Sequence, residues 1–170
     1  MDAVLIAGGK SEPSDPLYPY TGDGYKSLLM LGGKPMVQWV LDALNGSKRV
    51  ERVVVVGLPQ DTRLNCTHEL SMLEGCGDLI HNIRAGAEYL IQHNPDQKHC
   101  LLISADIPAL TTGMVDWLID RVQESDHDLY YNVIERRDME TRFPQSRRTY
   151  VHMKDGEFCG GDAGAICKHI

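Results

Sequence analysis

Val50–Gly57 reads VERVVVVG. Four consecutive valines leave no polar face, so the segment predicts a strand covered on both sides, as in the centre of a parallel sheet. Upstream, Asp2–Ala7 is a second buried strand, and it runs into the paired glycines Gly8 and Gly9. Between the two, Pro35–Leu44 predicts a helix, with Pro35 near its first turn and Asn45-Gly46 stopping it. Downstream, Pro59–Glu74 follows neither period clearly. Asp78 then predicts the cap of a helix over Leu79–His93, with Ile80, Ile83, Ala87, Leu90 and Ile91 facing inward. His99–Ala105, HCLLISA, predicts a strand. Thr111 or Thr112 caps a helix through Val122, with Met114, Val115, Leu118, Ile119 and Val122 inward. Leu129–Ile134 predicts a further strand. Arg148–Phe158 alternates around Asp155-Gly156, a hairpin pattern.

Strand–helix–strand alternation over roughly the first 125 residues predicts an α/β chain with parallel crossovers. The expected architecture is a three-layer α/β/α sandwich, Rossmann-like, with a mostly parallel mixed sheet and a late β-hairpin. The 170 residues predict one domain spanning 1–170, and a 42% hydrophobic content suffices for a core. A net charge of −7 argues against nucleic acid or an acidic membrane as partner, since either needs a basic face. No apolar run reaches the ~18 residues of a membrane span, and no basic n-region followed by an apolar h-region marks a signal peptide. The five cysteines form no C-x-x-C pair, so a reduced, cytoplasmic setting is the simpler reading.

In open α/β sheets, ligands bind beyond the carboxyl ends of the strands. Three segments there carry chemistry. Ala7-Gly8-Gly9-Lys10 brings backbone N–H groups close to an anion, although an isolated Gly-Gly is more often an ordinary turn. It lacks G-x-x-x-x-G-K-[ST] and G-x-G-x-x-G, so a P-loop and a redox dinucleotide domain are both disfavoured. Asp106, in SADIPAL, follows a buried strand directly, where a carboxylate suits Mg²⁺. As a cap for the next helix it competes with the better-placed Thr111 and Thr112. Asp162, in CGGDAG, offers a second hard oxygen on what reads as a Gly-rich turn near the chain end.

Taken together, LIAGG, the lysine opening KSLLMLGGKPM, the V…WVLDAL helix and ISADIP resemble the MobA-like and sugar-1-phosphate nucleotidyltransferases. The resemblance runs from Asp2 to about Leu118. It implies a GT-A-like fold and transfer of a nucleotidyl group from an NTP to a small phosphorylated acceptor, with Mg²⁺ (or Mn²⁺) as cofactor. Ala7, Gly8, Gly9 and Lys10 would lie along the nucleotide, Lys26 would meet the α-phosphate, and Asn82 would contact the nucleoside. Asp106 and Asp162 would hold the metal. Arg142 and Arg147 are candidates for the acceptor, with Arg136 and Arg148 nearby, although a solvated charged loop is the commoner role for such a run. Lys34 matches the pattern and is read as a turn residue.

The chain departs from the family pattern in two places. The segment KSEPSDPLYPYTGDGY is longer than usual and lacks the customary arginine, which reads as a lid over bound nucleotide. Family members also continue through at least one more helix, so Ile170 reads as a truncated end. A non-catalytic nucleotide- or sugar-phosphate-binding module on the same fold is the alternative. The scattered histidines and Cys159 lack partner spacing and are set aside as packing or surface residues.

Overall fold

A computed structural model describes residues 1–169. In chain order it holds β1 (Asp2–Ile6), α1 (Tyr18–Thr21), the short pair β2 (Met30–Leu31) and β3 (Lys34–Pro35), α2 (Met36–Asn45), β4 (Arg52–Val56), β5 (Glu69–Leu73), α3 (Leu79–His93), β6 (His99–Ser104), α4 (Thr112–Gln123), β7 (Leu129–Glu135), α5 (Arg136–Arg142), β8 (Val151–Met153) and β9 (Gly156–Cys167). The main sheet has the order β5-β4-β1-β6-β9-β7, and β8 pairs with β9. β5, β4, β1 and β6 run parallel, whereas β9 is antiparallel to β6, β7 and β8. The mixed α/β sheet therefore matches the expected class.

Alternation along the strands builds two cores. Ala3, Leu5, Val53, Val55, Leu101 and Ile103 face α2 and α4, where they meet Val37, Leu41, Val115 and Ile119. Val4, Val54 and Val56 face the other way, with Leu90 of α3 and Cys100. α3 sits low on the sheet because Gly86 lies against Val4. A Cβ at Gly86 would come within 2.5 Å of Val4 Cγ1. Beyond α3 the same face of β7 is left uncovered by the described residues, and Leu129 and Tyr131 are 59% and 62% exposed. Among the described residues, no helix is long and apolar enough to cross a membrane.

Several expectations need correction. The ambiguous Pro59–Glu74 contains β5, an edge strand paired, among the described residues, with β4 alone. Ile80 and Met114 point outward, 69% and 55% exposed, because each lies in a first helical turn beyond the reach of the core. Pro35 is the residue before α2 rather than inside it, and Gly46 ends that helix at an ordinary φ of −72°. The hairpin turn falls one residue early, since Met153 already pairs with Gly156. CGGDAG lies within β9 and is not a turn. The end of the chain at Ile170 lies outside the described residues.

The α3 cap is as expected. The Asp78 side chain accepts the His81 N–H (3.0 Å), and this bond, with the His81 ring, holds its carboxyl below the ordinary range. A depressed carboxyl contributes stability above its unfolded pKa and loses it as pH falls through the folded value. Asp78→Ala should therefore lower the unfolding temperature at pH 7, and in a series of thermal melts the difference should vanish once acid has protonated the folded carboxyl.

Candidate active site

The ligand edge forms where strand tips crowd together. Ala7 extends β1 by donating its N–H to Val56 O (2.9 Å), so that group is not free to hold a ligand. Gly8 then presses on Gly57. A Cβ on Gly57 would lie 2.3 Å from Gly8 Cα, and Gly57 itself sits at φ +107°. Gly8 is thus demanded by the contact between two backbones. Gly9 differs, because a Cβ there would meet only Lys26 Cε at 3.9 Å, leaving open space. The N–H groups of Gly8 and Gly9 find no protein acceptor among the described residues.

The long loop returns Lys26 to this edge. The Lys26 N–H donates to Gly9 O (2.9 Å), and the buried Ser27 hydroxyl donates to Ala7 O (2.7 Å). Opposite them, Ala105 N–H donates to Ile6 O (2.9 Å), which carries β6 one residue further and sets Asp106 at its tip. Ser104 Oγ donates to Asp106 Oδ1 at 2.5 Å and orients the carboxylate. Between these groups lies a cavity of about 140 Å³, bordered by Ala7, Gly9, Lys26, Ser27, Ser104 and Asp106. The sequence-predicted Lys26, Gly9 and Asp106 are therefore brought together.

Lys10 is exposed outside that cavity, bridged to Tyr25, with its ammonium 5.1 Å from the ring centroid. One partner was missed by sequence reasoning. Asp15 Oδ2 lies 2.7 Å from Lys26 Nζ. Nothing local in SEPSDPLYPYTGDG distinguishes this aspartate from Asp23.

Ile6 and Ser104 also border a second, larger cavity of about 280 Å³, whose rim holds Gly161 and Asp162. The Asp162 carboxyl is pushed above the ordinary carboxylate range, first by burial and then by the charge of Asp106, while Arg148 pulls it back from 3.9 Å. The charge of Asp106 thus reaches the Asp162 carboxyl, and Arg148 partly offsets it. Such hard oxygens fit Mg²⁺ or Mn²⁺, which takes one or two carboxylates and completes its shell with water and phosphate oxygens. Among the described residues, no three His, Cys, Asp or Glu side chains converge as an all-protein cage.

The remaining candidates lie elsewhere. Asn82 is 6% exposed, and its Oδ1 accepts the Cys76 N–H (2.7 Å), fastening the turn after β5 to α3. Arg142 and Arg148 line an open pocket of about 520 Å³ with Met139 and Phe143. Arg147 is exposed and does not line it. Arg136 is held by Glu140 and Glu157. Lys34 pairs with Asp42 and lies 3.7 Å from the Trp39 ring centroid, a structural role.

Known proteins share this arrangement of elements. A probable molybdenum cofactor guanylyltransferase from Thermococcus sibiricus is 24% identical over 125 residues, covering 74% of this chain and 57% of that protein. A 2-C-methyl-D-erythritol 4-phosphate cytidylyltransferase from Bifidobacterium longum is 28% identical over 131 residues, covering 72% and 43%. The chain thus spans about half the length of these curated relatives. A hypothetical transferase from Thermus thermophilus superposes with a TM-score of 0.77 at 30% identity, over 99% of this chain and 65% of that one. The 2-C-methyl-D-erythritol 4-phosphate cytidylyltransferase of Thermus thermophilus shares the fold, at TM-score 0.55 and 16% identity, over 98% of this chain and 70% of that one. A sequence profile of the MobA-like NTP transferase domain matches residues 3–152, and the chain belongs to that family.

Proposed function

We propose that this chain transfers a nucleotidyl group from an NTP to a small phosphorylated acceptor and releases pyrophosphate. The convergence of Gly9, Lys26 and Asp106 on one cavity carries the reading. The unpaired N–H groups of Gly8 and Gly9 face the triphosphate, and Lys26 stabilises charge that develops as pyrophosphate leaves. The acceptor's phosphate oxygen is already an anion, so no protein base is needed. Positioning and charge neutralisation then supply the catalysis. Asp106 and Asp162 would hold Mg²⁺ or Mn²⁺, which supplies neutralisation of phosphate-oxygen charge when bound. Arg142 and Arg147 are assigned to the acceptor side, together with Arg148 beside Asp162. Residues 1–170 act as one nucleotidyltransferase unit in this proposal. A cytoplasmic setting also belongs to it and is supported by five cysteines that form no C-x-x-C pair.

The test is an assay of pyrophosphate release with each NTP, Mg²⁺, and a panel of sugar 1-phosphates and other phosphorylated acceptors. Turnover on any acceptor supports the enzyme. Calorimetric NTP binding without turnover selects the non-catalytic module, and absence of Mg²⁺-dependent NTP binding sinks both. The two glycines should also separate. Gly9→Ala should keep the wild-type unfolding temperature and weaken NTP binding, because its Cβ enters open space above the cavity. Gly8→Ala should lose stability, because its Cβ would lie 2.8 Å from Gly57 Cα.

A further inference from the structure

We infer that Asp15 is a built-in competitor for phosphate: its carboxylate occupies Lys26 in the free protein, and a nucleoside triphosphate must displace it. The inference rests on the reading of Lys26 as a phosphate contact.

Three observations carry it. The first is the contact itself. Lys26 Nζ lies 2.7 Å from Asp15 Oδ2 and makes no other ion pair among the described residues. The other oxygen, Oδ1, accepts the Leu17 N–H (2.9 Å), and the two bonds keep the carboxyl ionised. The second is the position of the lysine. Lys26 borders the same small cavity as Gly9 and Asp106, so an anion entering that cavity meets an ammonium already partnered. The third is how lightly the loop is held. None of residues 12–24 is buried, and α1 contributes no core side chain. Its fastenings are mainly polar: Ser11 N–H to Gly24 O (3.1 Å), Thr21 Oγ1 to Ser11 Oγ (2.6 Å) and the Lys10–Tyr25 bridge. A segment with so little apolar anchorage opens at low cost.

The consequence is discrimination by charge. One carboxylate on a partly exposed lysine is a modest competitor. A triphosphate brings several charges and displaces it, whereas a singly charged anion gains little by the exchange. The Asp15–Lys26 pair then opens only for a polyanion.

The experiment is isothermal titration calorimetry of ATP, GTP, CTP and UTP, each with Mg²⁺, and of pyrophosphate. The proteins are wild type, Asp15→Asn, Lys26→Met and the double variant. Asparagine keeps an oxygen for the Leu17 N–H and removes only the charge. Asp15→Asn should bind the preferred triphosphate about three- to fivefold more tightly, and the gain should vanish in the Lys26→Met background. Asp15→Ser, which can also accept the Leu17 N–H, should show the same gain. Equal or weaker binding by both Asp15 variants, with wild type still binding, overturns the inference and makes Asp15 a positioning residue for Lys26. Failure of wild type and both variants to bind any triphosphate removes the phosphate reading of Lys26, and the competitor with it.

Discussion

Asp106→Asn is expected to lower the rate of pyrophosphate release by about 10³-fold while leaving the unfolding temperature unchanged. The two halves of this result come from different parts of the structure. Asp106 is exposed in the turn that follows β6, and among the described residues its one side-chain bond is the hydroxyl donated by Ser104. An asparagine oxygen can accept that bond, so the fold loses nothing. What disappears is a unit of negative charge where the tips of β1 and β6 meet. That carboxylate would hold a divalent cation, and neutralisation of phosphate charge by the cation would be worth several kcal/mol in the proposed reaction. Lys26→Met removes the opposite charge from the same cavity and should cost about 10²–10³-fold. A continuous pyrophosphate assay at saturating NTP measures both. An Asp106→Asn rate within threefold of wild type would sink the assignment of Asp106 to the reacting phosphates.

The largest loss of stability is expected from Gly57→Ala, about 3 kcal/mol or more, which lowers the unfolding temperature by about 6–12 °C. Two costs add. Alanine at φ +107° is strained in any surroundings, and here its methyl would overlap Gly8 Cα and Gly8 N at 2.3 and 2.5 Å. Both obstacles are backbone, so no side chain can swing aside. Gly77 provides the control, because it has nearly the same backbone angle, φ +110°, with nothing within 4 Å of a built Cβ. Gly77→Ala should show the strain alone, about 1–2 kcal/mol. Equal losses at the two positions in thermal unfolding would show that the close approach of β1 and β4 at their tips carries no energy.

Much of the fold was legible because burial and period are local properties. VERVVVVG, DAVLIAGG and HCLLISA each state their surroundings without help from distant residues. β5 was not legible, because ELSML lies at the edge with half-exposed side chains and carries no alternation strong enough to separate it from a loop. The glycines of β9 suggested a turn. Gly164 is needed inside the strand because the β7 backbone crowds it: a Cβ there would fall 2.5 Å from Tyr130 O, whereas one at Gly160 would meet only the tip of the exposed Tyr131 side chain. Ile80 and Met114 carried the right helical period, but a period does not say where the sheet beneath a helix ends.

The candidate site divides in the same way. Asp106 was legible because it follows a recognisable strand end, and Lys26 because it opens KSLLMLGGKPM in the family pattern. Asn82 came from the family resemblance, as the polar residue of α3 placed to meet a nucleoside, and its oxygen is taken by the Cys76 N–H. Asp15 could not be found, since its pairing depends on how a long irregular loop folds back on itself. That geometry leaves no periodic trace in the sequence.

The exposed Leu129 and Tyr131 of β7 set an apolar patch on an acidic surface. A net charge of −7 keeps copies apart at low ionic strength. Added salt shortens the range of that repulsion to roughly 10 Å at 0.1 M, while salts such as sulfate strengthen contact between apolar surfaces. With Leu129 and Tyr131 exposed, this chain is expected to salt out more readily than its acidic composition alone would suggest.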